Sequence, residues 1–189
     1  MNDNYFVVDI ETFPVDFEAY EKLDEEGKLK LLNPIDSRIV ALGIRHNGTN
    51  QTFMSENEKE ILEKFWAAWR FVKAGKKAVG FSITNFDLPF LVARSLLNNV
   101  IISPFVLKEV IDLRDKINAY RHGKTRGKLK EYAKLLGLPV LDVDGSDVAG
   151  LWKGKQYSRI KDYLENDLLI TDELYKKCKE LKILDIERW

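Results

Sequence analysis

Apolar and polar positions follow three rhythms along this chain. Residues 5–11 run Tyr-Phe-Val-Val-Asp-Ile-Glu, aromatic and β-branched and then acidic, the pattern of a buried strand whose C-terminal end carries charge. Strand side chains alternate, so Asp9 and Glu11 share one face and Val8 and Ile10 the other. Residues 16–32 mix acids, bases and apolar side chains and predict a helical insertion. Residues 38–46 and 51–54 read as a hairpin across Asn47-Gly48. Ser55, with Glu58 three residues on, predicts a capping box opening a helix through Ile61, Leu62, Phe65, Trp66 and Trp69, whose tryptophans sit at core-facing spacing. A strand at 77–81 leads through a polar turn into a helix reaching Leu97. Asp87 stands at or just before that helix, where an aspartate commonly caps free backbone N–H groups and Pro89 is tolerated. A short strand near 110–113 and a helix over 128–136, stopped by Gly137, come next. The third rhythm spans 157–182, where Ile160, Leu164, Asp167, Thr171, Leu174, Cys178 and Leu181 recur at steps of four and three, one stripe of a long helix. The order predicts a mixed sheet with its first three strands antiparallel neighbours and helices on both faces.

Composition adds bounds. With 189 residues, 45% of them hydrophobic, and no linker rich in proline, glycine or serine, the expectation is one domain over 1–189 with a substantial core. No basic n-region followed by an apolar stretch and no uncharged apolar window of about 18 residues occurs, which predicts a soluble cytoplasmic protein without a membrane partner. The single cysteine, Cys178, lies on the helix stripe and reads as core. Lysines plus arginines equal aspartates plus glutamates at 30 each, so affinity for a polyanion has to come from local patches or bound metals. One patch is the run 114–128, in which Arg114, Lys116, Arg121, His122, Lys124, Arg126 and Lys128 surround Tyr120 and two glycines. A flexible basic loop with an aromatic suits a single strand, and an ordinary solvated loop has the same composition.

Asp9 and Glu11 bring the first candidate chemistry. Two carboxylates roughly 7 Å apart on a strand near the core repel each other, and burial raises the cost. A divalent cation between them removes both penalties, and carboxylate oxygens are the ligands that Mg²⁺ and Mn²⁺ prefer. A strand end fraying into solvent holds the same pair without a metal. Asp167 is the second candidate: it sits inside an apolar stripe that carries no basic residue, and Tyr163 precedes it by one turn on the same side of the helix. Its bland counterpart is a core aspartate bonded to a neighbouring tyrosine.

Three segments in this order resemble the DEDD exonuclease superfamily, in its tyrosine-bearing branch: Val8-Asp9-Ile10-Glu11-Thr12, Asn85-Phe86-Asp87-Leu88-Pro89-Phe90-Leu91 and Tyr163-Leu164-Glu165-Asn166-Asp167. The middle segment is most similar to the proofreading exonuclease domain of family B DNA polymerases. The sister branch places a histidine five residues before the last aspartate, where this chain has Asp162. It also has Ser82 where the polymerase modules carry an asparagine, and it resembles the exonuclease module standing alone. The resemblance implies a ribonuclease H-like α/β fold with a five- to six-stranded mixed sheet. It implies two divalent cations, Mg²⁺ or Mn²⁺, one on Asp9, Glu11 and Asp167 and the second on Asp9 and, partly through water, Asp87, with Tyr163 orienting the attacking water. Thr12, Phe13, Asn85 and Phe86 would contact the terminal nucleotide. The implied activity is 3′–5′ hydrolysis of single-stranded DNA or frayed ends, with a replication or repair partner in prospect. Exonuclease action on RNA, of the ribonuclease D type, and a non-catalytic nucleic-acid-binding module stay open beside it.

Overall fold

The structure, a computed structural model, describes residues 4–121 and 127–188. Its elements in chain order are β1 (Tyr5–Pro14), α1 (Phe17–Glu21), α2 (Glu25–Lys30), β2 (Ser37–His46), β3 (Thr49–Met54), α3 (Glu58–Val72), β4 (Lys77–Gly80), α4 (Asp87–Leu97), β5 (Val110–Asp112), α5 (Leu113–Ile117), α6 (Leu129–Leu135), α7 (Val148–Lys153) and α8 (Tyr157–Glu180).

The strands form one mixed sheet in the order β3-β2-β1-β4-β5. β1, β2 and β3 are antiparallel neighbours; β4 runs parallel to β1, and β5 parallel to β4. Asn47 and Gly48 both take positive φ, 49° and 76°, as a two-residue hairpin turn between right-twisted strands requires. Alternation along β1 divides the core in two. Phe6, Val8 and Ile10 pack with the α3 residues Phe65, Trp66 and Trp69. Tyr5, Val7 and Phe13 pack on the opposite side with Trp152, Ile160, Leu164 and Leu168 of α7 and α8. Asp9 and Glu11 have the parity of the second set and therefore look toward α8.

α8 lies close on the sheet where β2 carries a glycine beneath it. Gly43 pairs with Asp9, and a Cβ there would meet Leu168 Cδ1 at 2.5 Å and Leu164 Cδ1 at 3.3 Å. The close approach brings the middle of α8, with Asp167, down to the strand that carries the other two acids. Gly80 has a similar part at the end of β4, where a Cβ would meet that of Ile83 at 2.6 Å, so the chain can fold tightly back into the turn before α4.

Two local expectations are corrected, the capping box at Ser55 and the basic loop. α3 begins at Glu58 with Asn57 as its cap, accepting from Glu60 N at 3.4 Å, while the Ser55 hydroxyl accepts from Asn57 N and reaches Glu60. Glu58 turns inward, because better partners stand there: Ile39 N at 2.7 Å, the Arg94 guanidinium at 2.8 and 2.6 Å and Asn98 Nδ2 at 2.9 Å. The helical insertion expected after β1 is present as two short helices, started separately by Asp16 and Asp24, each accepting from the N–H three residues on. The basic run opens with a helix, α5, and its residues 122–126, including His122, Lys124 and Arg126, lie outside the described residues. No helix among the described residues is long and apolar enough to cross a membrane.

Candidate active site

Three segments far apart in sequence deliver carboxylates to one place. Asp9 and Glu11 come from β1, Asp87 from the start of α4 and Asp167 from the middle of α8. One oxygen from each of Asp9, Glu11 and Asp167 can be chosen so that all three lie within 4.8 Å of one another. Glu11, Asp87 and Asp167 are buried and Asp9 half-buried. Together with Tyr163 they line an open cleft of about 230 Å³, whose other walls are Ile10, Thr12, Leu32, Phe81, Ser82, Phe86 and Gly145.

Asp87 is the first residue of α4 rather than its cap; Phe86 holds the cap position without a side-chain bond. The carboxylate is thereby left for the cleft. Among the sequence-selected contacts, Thr12 and Phe86 stand in the cleft wall. Phe13 does not: it stacks on Phe17 at 5.4 Å, approaches Trp152 at 6.4 Å and carries the Arg38 guanidinium over its ring. Asn85 is exposed beside the cleft, its backbone N–H bonded to Ser82 O.

Four carboxylates in so small a volume resist ionisation. Burial, then the charges of Asp87, Glu11 and Asp167, push Asp9 well above the usual carboxylate range. Burial, Asp167 and Asp87 do the same to Glu11, against the pull of Lys130. Asp87 is raised to about 7, chiefly by burial, and Asp167 to about 6 by burial, with Lys130 and the Tyr163 hydroxyl opposing. Burial and the charges of Glu11, Asp167 and Asp9 push the Tyr163 phenol upward, so it stays a neutral donor at any physiological pH.

The donor set fits hard divalent cations. Every candidate ligand is a carboxylate oxygen, and Oδ1 of both Asp87 and Asp167 is buried without a hydrogen-bond partner among the described residues. A buried anionic oxygen left in that state is costly unless a cation meets it.

Sequence patterns do not single out Lys130 or the segment 138–147. Lys130 Nζ lies 4.2 Å from the centre of the Tyr163 ring and donates to the carbonyls of Leu141 and Val143. Asn166, beside Asp167 on α8, accepts from Leu141 N at 3.1 Å and donates to Pro139 O at 2.9 Å. These two side chains tie 138–147 as a strap across the site, and Gly145 brings it against Tyr163: a Cβ on Gly145 would stand 3.5 Å from the hydroxyl. The local signal for Lys130 is its position three residues before the buried Ala133 on a short helix, a cation on the inward face.

A protein-family model described as "Predicted 3'-5' exonuclease related to the exonuclease domain of PolB" matches residues 106–184, which contain Lys130, Tyr163 and Asp167. "Uncharacterized protein MJ0365" of Methanocaldococcus jannaschii is 36% identical over 160 residues, 77% of this chain and 88% of that protein. The family B DNA polymerase from the hyperthermophilic archaeon Pyrobaculum calidifontis shares the fold, with a TM-score of 0.70 at 18% identity over 95% of this chain. The match spans 25% of the polymerase chain.

Proposed function

This chain belongs to the same family as the Methanocaldococcus protein, and from that premise we propose that it is a metal-dependent 3′–5′ exonuclease that releases nucleoside 5′-monophosphates from single-stranded DNA. The observation that carries the reading is the meeting of four carboxylates and Tyr163 in one cleft, with two buried carboxylate oxygens left without partners among the described residues. The match to an exonuclease-related family and the fold shared with a DNA polymerase agree with it.

Asp9, Glu11 and Asp167 would hold one divalent cation and Asp9 with Asp87 a second, Mg²⁺ or Mn²⁺; such a pair, when bound, supplies an acidified water and neutralises the departing oxygen. Tyr163 remains protonated beside the acids, so its part is to orient a nucleophilic water by hydrogen bonding rather than to take its proton. Thr12 offers a hydroxyl at the cleft wall. Leu32, Phe81 and Phe86 give apolar surface for a terminal base that has left its stack, which favours a single strand or a frayed end. On this reading the chain would be a member of the tyrosine-bearing branch, which the position of Tyr163 in the cleft supports.

The test is a gel time course on 5′-labelled single-stranded DNA and its RNA counterpart, with Mg²⁺, Mn²⁺ or chelator. A ladder shortening from the 3′ end, dependent on metal and faster on DNA, is the expected result. A faster RNA ladder reassigns the substrate, and intact oligonucleotides under every condition overturn the reading.

Tyr163→Phe gives a narrower expectation. Loss of the hydroxyl alone lowers kcat by about 10- to 100-fold, the range of a positioned hydrogen-bond donor, and leaves Mn²⁺ binding by calorimetry unchanged, because the carboxylates are intact. Wild-type turnover in this variant removes Tyr163 from the mechanism.

A further inference from the structure

A carboxylate outside the cleft holds the turn that presents Asp87. Asp112 ends β5, is 5% exposed and does not line the cleft. Its Oδ1 accepts from Ser82 N at 3.0 Å, Arg114 N at 3.0 Å and Asp115 N at 3.4 Å. Its Oδ2 accepts from Thr84 N at 3.1 Å and Thr84 Oγ1 at 2.7 Å. The bonds to residues 114 and 115 are those of an ordinary cap on the short helix α5. Those to Ser82 and Thr84 are not explained by capping, and among the described residues Oδ2 serves the turn alone.

The turn has reason to need such a clamp. Ser82 is left-handed at φ 62°, a conformation that strains a non-glycine residue and persists only where its surroundings enforce it. From that conformation the Ser82 carbonyl accepts from both Asn85 N and Phe86 N, and Asp87 follows as the first residue of α4. The chain from the clamped positions to the buried carboxylate is three residues long.

We propose that Asp112 is a positioning residue of the active site: by fixing Ser82 and Thr84 it sets where Phe86 and Asp87 stand in the cleft. The assignment rests on the exonuclease reading. Only an ionised carboxylate accepts on both oxygens from N–H donors, so an amide of the same shape cannot replace it. In Asp112→Asn the acceptor oxygen can keep Ser82, Arg114 and Asp115. Its NH₂ then faces Thr84, whose hydroxyl can turn to accept but whose N–H loses its partner.

The experiment compares Asp112→Asn with Glu58→Gln, a buried acid of similar bonding away from the site, at a temperature where circular dichroism shows each folded. kcat and KM on a single-stranded oligonucleotide and Mn²⁺ binding by calorimetry are read for both. Displacement of Asp87 by a fraction of an ångström lowers kcat about tenfold, more than it changes KM, and weakens Mn²⁺ binding. Glu58→Gln lowers the melting temperature but neither quantity. Removing the charge of Asp112 by itself takes some attraction for a cation from the site, so a loss that Thr84→Val shares, with the carboxylate kept, marks a displaced ligand. Thr84→Val, which takes away one bond to Oδ2 and leaves the carboxylate, produces a smaller loss of the same kind and decides the matter if Asp112→Asn unfolds. Wild-type kcat and Mn²⁺ affinity in these variants, or losses that Glu58→Gln matches, overturn the assignment. A wild-type protein inactive on every nucleic acid refutes the exonuclease reading instead, and the Mn²⁺ comparison then decides Asp112 alone.

Discussion

Asp167→Asn is expected to lower kcat by about a thousandfold or more, on the order of 4 kcal/mol of transition-state stabilisation, while the metal-free variant melts no earlier than the wild type. Both halves have one cause. Asp167 is buried on the inward face of α8, within reach of Glu11 and Asp9, and its Oδ1 has no hydrogen-bond partner among the described residues. In the absence of metal its charge is a burden, raised to a pKa of about 6 mainly by burial. The amide keeps the shape, removes the burden and cannot act as an anionic ligand. Circular dichroism melts in chelator and a single-turnover assay with Mn²⁺ measure the two effects. A variant that unfolds, or one that retains activity, would show Asp167 to be a core residue of ordinary kind.

The second large effect is in the wild-type protein: in chelator its melting temperature falls as the pH rises from about 4 to 7, and saturating Mn²⁺ abolishes or reverses the fall. The sign follows from linkage. Asp87 and Asp167 hold protons to about 7 and about 6 in the folded state, and Asp9 and Glu11 are raised as well. The unfolded chain releases those protons near pH 4, so between the two ranges it binds fewer than the folded state and stability declines with pH. Stability is full below the unfolded values and levels off above the folded ones. Each tenfold change in proton affinity is worth about 1.4 kcal/mol, so acids that interact as closely as these amount together to a few kcal/mol. Acids held below their ordinary values, Asp144, Asp172 and Glu56, contribute with the opposite sign but at lower pH. A cation that binds only the folded state adds stability by mass action and takes over the role of the protons. Scanning fluorimetry across pH 4–8 measures this; a flat profile in chelator would mean that the four acids do not repel as their burial implies.

Much of the site is legible in the sequence because its carriers have strong periods. A strand with aromatic and β-branched residues fixes the common face of Asp9 and Glu11, and a long helix with a regular stripe exposes Asp167 as the one charge inside it. The hairpin at Asn47-Gly48 is readable for the same local reason. What escapes depends on partners far along the chain. Glu58 leaves its capping box for Arg94 and Asn98, about 40 residues on. Phe13 reads as a cleft contact from its place beside the acids, but Trp152, brought by α7, closes over it. Asp112 reads as a plain strand residue, since nothing in 110–113 announces bonds to a turn 30 residues earlier. Asp87 reads as a cap because local rules cannot tell a helix's first residue from the one before it.

The strap also bears on timing. Its backbone from Pro139 to Val143 is held by the side chains of Asn166 and Lys130 rather than by a strand partner. Such a segment can lift as a unit, at the cost of a few hydrogen bonds, while the sheet and the carboxylates on it stay in register. Lifting it would withdraw Gly145 from Tyr163 and uncover one side of the cleft, so on the exonuclease reading the hold of Asn166 and Lys130 on the strap would set how fast a product leaves.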